Sequence, residues 1–278
     1  MIMPHKQKFY LAMIVLICLA GPLKAADPLD HLDPQRYGAG TLIAAIEELA
    51  GYQPDQAVDL LLPLLGHPDQ DVSRSSAWLL RRMGRSSDGV GSASAVLADP
   101  AASLESRLAA ALALAELKVA SAQAPLQTAM ASDTETQVRA AAARALGELY
   151  RPGAADALSA ALLADDAENV RAAAVCALGK VPDANAQAIM NALQDSHFSV
   201  RLEAAWALGR PQFRDAQGII GNLLRSLQSD SDCRVQAAAA WALGELGDPT
   251  VKDALIAAQN GPCRLTAQAA ARANGEIQ

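Results

Sequence analysis

Aromatic residues are scarce: three Phe, three Trp and four Tyr, 4 % of 278 residues. Runs in which Val, Ile or Thr alternate with polar residues are missing too. Those absences exclude a β-sandwich, a barrel or a Rossmann sheet, whose strands need branched and aromatic residues on a pleated face. Basic residues (23) are outnumbered by acidic ones (30), giving a net charge of −7. The basic stripe that grips a nucleic-acid backbone is therefore absent. The histidines are His5, His31, His67 and His197. None is followed by Glu or lies four residues from another His, so metal-ligand spacing is lacking. No Cys-x-x-Cys, Walker loop, dinucleotide glycine pattern or Gly-x-Ser-x-Gly elbow occurs. The sequence thus offers no catalytic residue, metal site or cofactor site, and the expectation is a protein that is not an enzyme.

What the chain does have is alanine, 62 residues of it, the best helix former and a poor strand former. With 51 % hydrophobic residues it is too apolar to stay disordered. Residues 1–25 read as a secretory signal peptide. His5, Lys6 and Lys8 form a basic start, Phe9 to Ala20 an uncharged apolar run, Gly21-Pro22 a break, and Ala25 the residue before the cut. Kept in place, the segment would be an anchor, but the run is shorter than the roughly 20 residues a membrane span needs. Cleavage after Ala25 leaves 20 basic and 30 acidic residues. The expectation is an exported, acidic, monomeric protein of a bacterial cell envelope, periplasmic or secreted, without stable membrane insertion.

A repeat runs through the remainder. Val138-Arg139 through Leu146-Gly147 returns as Val170-Arg171 through Leu178-Gly179, as Val200-Arg201 through Leu208-Gly209, and as Val235-Gln236 through Leu243-Gly244. Ser106-Arg107 through Leu114-Ala115 and Val72-Ser73 through Leu80-Arg81 are earlier copies, and Leu265-Thr266 through Ala273-Asn274 reads as a last, incomplete one. Val170, Ala173, Ala174, Ala177 and Leu178 share one helix face, and Gly179 is expected to end the helix in a left-handed conformation. A second helix in each unit carries its own stripe, such as Ala157-Leu158-Ala161-Leu162 or Ile219-Leu223-Leu227. A pair this short buries one face and becomes stable by stacking. Residues 26–36 read as a tail, 37–66 as a helical cap or degenerate first repeat, and 67–278 as the array. Ser86 to Ser94, with Gly89 and Gly91, reads as a flexible loop.

Several columns carry chemistry. Arg107, Arg139, Arg171 and Arg201 share one position, and Asp133, Asp165 and Asp195 each lie six residues before the Arg of their unit. Two readings are open: an anion-binding basic ladder, or an Asp/Arg network tying one inter-helix turn to the next through the planar guanidinium fork. Gln236 breaks the column and is expected to leave Asp230 without its Arg. Three residues before the glycine stand Trp78, Leu112, Arg144, Cys176, Trp206 and Trp241, at the edge of the apolar face. Trp206 and Trp241 should lie side by side about one helix spacing, roughly 10 Å, apart. They are either an anchor for a partner protein or fillers between helices. Cys233 and Cys263 both precede Arg and an apolar landmark, and turns of stacked units can bring two Cα atoms within disulfide reach. Cys176 reads as a small buried hydrophobe. Glu116, Glu148 and Glu245 read as surface charges at helix ends.

The landmarks Asp-x5-Arg and Val-Arg-x-Ala-Ala-x-x-Ala-Leu-Gly resemble HEAT repeats, specifically the short kind named for phycobilisome lyase subunits, over roughly residues 67 to 278. The resemblance implies an all-α, right-handed superhelical solenoid of about six to seven helix pairs, and it favours the structural reading of the Asp/Arg ladder. One enzyme family with HEAT-like repeats, deoxyhypusine hydroxylase, binds a di-iron centre through His-Glu pairs; this chain has none, so that activity does not carry over. The expected function is a non-enzymatic scaffold that binds a protein partner through one solenoid face. Handling of a tetrapyrrole or its carrier protein, as in bilin lyases, and homotypic assembly are the alternatives.

Overall fold

The computed structural model describes residues 38–49 and 56–277; the signal peptide and tail expected over 1–36 lie outside them. The described residues form fifteen α-helices joined by turns and short 3-10 segments. Two helices lead in, α1 (Ala39–Leu49) and α2 (Gln56–Leu61). Then follow α3 (Gln70–Arg82), α4 (Ser86–Ala98), α5 (Leu104–Leu117), α6 (Gln123–Ser132) and α7 (Thr136–Leu149). The next are α8 (Ala155–Ala164), α9 (Glu168–Leu178), α10 (Ala186–Ala192) and α11 (Phe198–Leu208). The array closes with α12 (Ile219–Ser229), α13 (Cys233–Leu246), α14 (Lys252–Gln259) and α15 (Arg264–Glu276).

The helices sort into two layers. The odd-numbered helices from α3 to α15 carry the Ala-rich repeat and stack directly on one another. The even-numbered helices from α4 to α14 barely touch each other and pack chiefly on the Ala-rich helix that follows them. This corrects the phase of the repeat: the hairpin is outer helix, short Asp turn, then Ala-rich helix. It also completes the last unit, because α14 and α15 form a hairpin like the others. Val138, Val170, Val200 and Val235 are fully buried, and so are Leu114, Leu178, Leu208 and Leu243. One continuous core runs along the array.

The glycine column has a different cause from the one expected. Gly147 and Gly244 lie inside α7 and α13, while Gly179 and Gly209 end α9 and α11 with ordinary right-handed φ of −59° and −70°. What requires glycine is close approach. A Cβ on Gly147 would meet Ala177 Cα at 2.8 Å, one on Gly179 would meet Ala207 Cβ at 3.0 Å, and one on Gly244 would meet Ala273 Cβ at 2.7 Å. Each glycine receives the Ala that stands two residues before the next glycine. The last contact resets the register of the final copy by one residue. Thr266, 4 % exposed, occupies the valine position and Gly275 the glycine position, whereas Leu265 is 48 % exposed.

The expected loop at Ser86–Ser94 is helix α4. Tertiary contacts override its poor helix propensity: Ala93 is fully buried, Gly89 lies against Leu80 and Leu117, and Ser92 Oγ donates to the Leu62 carbonyl at 2.8 Å.

Candidate partner-binding face

The Asp turns form a ladder along one edge of the array. Arg139 Nε and Nη2 donate to Asp165 at 2.8 and 2.9 Å; Arg171 engages Asp195 at the same two distances. Arg201 engages Asp230 at 2.7 and 2.9 Å, and Arg107 Nη1 reaches both oxygens of Asp133 at 2.6 Å. The carboxylate partner thus belongs to the following repeat. For Arg139, Arg171 and Arg201 the Asp six residues before supplies its backbone carbonyl instead, as Asp133 does to Arg139 Nη1 at 3.1 Å. Asp230 therefore has its Arg, and the expectation that Gln236 orphans it is corrected. Gln236 keeps the short-range contact, donating to the Asp230 carbonyl at 2.7 Å.

Each ladder carboxylate also accepts a backbone N–H two residues on, for example Asp165 from Ala167 at 3.0 Å and Asp195 from His197 at 2.8 Å. The Arg139 hydrogen bond is the main cause that holds Asp165 below the usual carboxylate range. Burial pushes Asp195 up, but Arg171 and the His197 amide outweigh it, and the net shift is downward. Lowered folded-state pKa values mean that this stabilisation is complete above the unfolded Asp value of about 4 and is lost as pH falls through the folded values. Thermal stability should accordingly hold from neutrality to about pH 5 and drop below about pH 4. An Asp165→Asn, Asp195→Asn variant should start lower and show a shallower acid drop in a calorimetric pH series.

Cys233 and Cys263 are joined by a disulfide with Cα atoms 6.2 Å apart. It spans the junction at which the Arg column has run out. Cys176 is a free, partly buried thiol whose pKa is pushed up by burial and then by Glu203.

The column that holds the tryptophans faces solvent from the Ala-rich layer. The Trp206 and Trp241 rings are in contact, with centroids 4.5 Å apart and planes at 49°. The helix spacing alone would separate them further; the side chains lean together, and the bare Gly209 beneath Trp241 leaves the room for it. Trp206 is 42 % exposed and Trp241 is half-buried. The reset register adds exposed Arg272 to this column. One helical turn away, Lys180 pairs with Glu148, and Arg81 pairs with Glu116 at 2.8 Å.

Sequence reasoning missed two features. A cleft of about 330 Å³ opens between α1, α3 and α5, lined by Glu47, Asp71, Arg74, Trp78 and Glu116 among others. The packing of α1 that creates it has no signature in the repeat. On the ladder edge, the Arg234 guanidinium lies 3.9 Å from the Phe198 ring centre. Arg234 also holds Asp232 down at about 2. Among the described residues no group of His, Cys, Asp or Glu is placed to hold a metal ion, and no helix is long and apolar enough to cross a membrane.

Comparison with solved structures finds the same architecture elsewhere. YibA of Escherichia coli is 19 % identical over 90 % of both chains, with a TM-score of 0.53. Kap121p is 14 % identical, with a TM-score of 0.61, over 90 % of this chain and 33 % of that one. The complex of CpcE and CpcF of phycocyanin lyase from Nostoc sp. is 24 % identical over 56 % of this chain and 98 % of that one, with a TM-score of 0.48, too loose a likeness to argue from. Curated proteins give no match. The family model for HEAT repeats matches residues 94–179 and 186–275, and that for the PBS lyase HEAT-like repeat matches 170–195. With more than half of its length matched, and with stacked helix pairs clamped by an Asp/Arg ladder, the chain belongs to the HEAT repeat family.

Proposed function

We propose that this protein is a non-enzymatic scaffold of the cell envelope that holds a partner protein along its Ala-rich layer, gripping it at Trp206 and Trp241. The observation that carries the reading is the contacting tryptophan pair, contributed by two repeats and turned toward solvent. An Ala-rich, aromatic-poor array fills its interior with Ala, Leu and Val, so a 42 % exposed Trp does little for the core. Large rings are the residues that concentrate binding energy at interfaces. The acidic chain suits a basic or neutral partner segment. The apolar run from Phe9 to Ala20 and the disulfide support placement outside the cytoplasm, where disulfides persist.

The test is capture from envelope extract on immobilised residues 26–278, beside a Trp206→Ala, Trp241→Ala variant of matched helicity. A partner should be retained by the first and bound at least about 30-fold more weakly by the second, as for a hot-spot pair. Equal retention on both would make the rings packing only. Retention on neither would remove the scaffold reading.

A further inference from the structure

Four successive junctions of the array are clamped by ion pairs, and the fifth is clamped by a covalent bond. After Arg201–Asp230 the column reads Gln236, and the next turn, Asn260 to Cys263, carries no acid. Across that junction runs the Cys233–Cys263 bridge. Cys233 is the exposed first residue of α13, and Cys263 is the N-cap residue of α15. Arg234 and Arg264 follow them directly, and the nearest acid, Asp232, is occupied by Arg234 at 2.6 Å. Beside the bridge, α15 packs closely on α13, with Ala273 on Gly244 and the Thr266 hydroxyl near the Cys233 carbonyl and Gln236, but among the described residues it has an Ala-rich neighbour on that side only. In α14 only Leu255 is fully buried.

We propose that Cys233–Cys263 is a reversible redox site and that its reduction by an external dithiol loosens the last helix pair, residues 252–277, while the ionically clamped repeats stay closed. A thiolate of the dithiol attacks the Sγ of the exposed Cys233. The S–S bond breaks, and Cys263 leaves as a thiolate at the start of a thirteen-residue helix, where the positive end of the helix and Arg264 stabilise it. The second thiol of the dithiol then displaces Cys233 from the mixed disulfide. The dithiol ends as its own disulfide, and the two cysteines gain two electrons and two protons. The inference does not depend on what the tryptophan pair binds.

The experiment uses a chain carrying Cys18→Ser and Cys176→Ser, so that only the pair titrates. Without reductant no thiol should react with a thiol reagent; after millimolar dithiothreitol two should, with no denaturant present. Opening the bridge, whose cysteines are 30 residues apart, should speed amide exchange across 252–277 on the order of 100-fold, from restored loop entropy. Exchange across 136–208 should not change, and glutathione disulfide should restore the oxidised pattern. Three results overturn the proposal: two reactive thiols before any reductant, reduction only in denaturant, or reduction with unchanged exchange over 252–277. A Cys233→Ser, Cys263→Ser variant should behave like the reduced chain, and if it does not fold, the reduced chain alone decides.

Discussion

Gly147→Ala should destabilise the protein by about 1–3 kcal/mol, as overpacking does, against the usual sign of such a change. Glycine inside a helix normally costs roughly 0.5–1 kcal/mol relative to alanine, so filling it in an open place stabilises. Gly147 lies inside α7, yet a Cβ there would stand 2.8 Å from Ala177 Cα and 3.0 Å from its Cβ. The obstacle is the backbone of α9, which cannot swing aside like the end of a long side chain. The two helices must separate at that junction. Stability of a stacked array is a sum of unit terms and neighbour terms. Weakening one neighbour term in the middle should therefore also broaden the urea transition or split it in two. Gly91→Ala and Gly221→Ala are the controls, since both lie within helices with nothing within 4 Å of the added atom. They should be neutral or stabilise by up to about 1 kcal/mol. A gain for Gly147→Ala equal to that of the controls would show that the glycine column does not set the helix spacing.

The same glycines mark where sequence reasoning reaches its limit. Their recurrence locates each Ala-rich helix, and the apolar spacing from Val170 to Leu178 identifies its buried face. Neither says whether a glycine serves a turn or a contact, because both leave a Gly at the end of an Ala-Leu pair. Only the neighbouring helix distinguishes them. The Asp/Arg ladder has the same character. The six-residue interval from Asp133 to Arg139 is visible along the chain, whereas the bidentate bond runs from Arg139 to Asp165, a repeat away. The interval records a backbone contact, and the partnership follows from stacking. In the final copy the sequence points one residue off because Leu265 is the better hydrophobe, yet Thr266 takes the buried seat with its hydroxyl 3.2 Å from the Cys233 carbonyl and 3.1 Å from Gln236 Oε1. Helix α4 is not legible along the chain because what seats its Gly89 is contact with Leu80 and Leu117, residues of other helices.

Arg171→Ala should be the more damaging change, at roughly 2–4 kcal/mol, because it leaves a mostly buried carboxylate without its counter-charge. The Arg171 and Asp195 side chains are 14 % and 13 % exposed. Removing the guanidinium strips two donors from Asp195 and one from the carbonyls of Asp165 and Asp166. Asp195 then keeps only the His197 amide. Lysine is no substitute: it carries the charge but cannot present a planar fork to two oxygens while a third nitrogen reaches the carbonyls. Arg171→Lys should thus recover less than half of the loss. Asp195→Ala alone should also destabilise, since it leaves a cation in the same place, and the Arg171→Ala, Asp195→Ala pair should cost less than the sum by about 1–2 kcal/mol. Arg272→Ala is the contrasting case. Its partner is Glu276 on the same helix, with the two side chains 71 % and 38 % exposed, and its removal should leave the unfolding midpoint unchanged within the scatter of repeat measurements. Denaturant titrations of the five variants measure the whole set. Near-zero coupling between Arg171 and Asp195 would mean that stacking of the Ala-rich helices, with the glycine column at its centre, holds the array together and that the ladder only lines its edge.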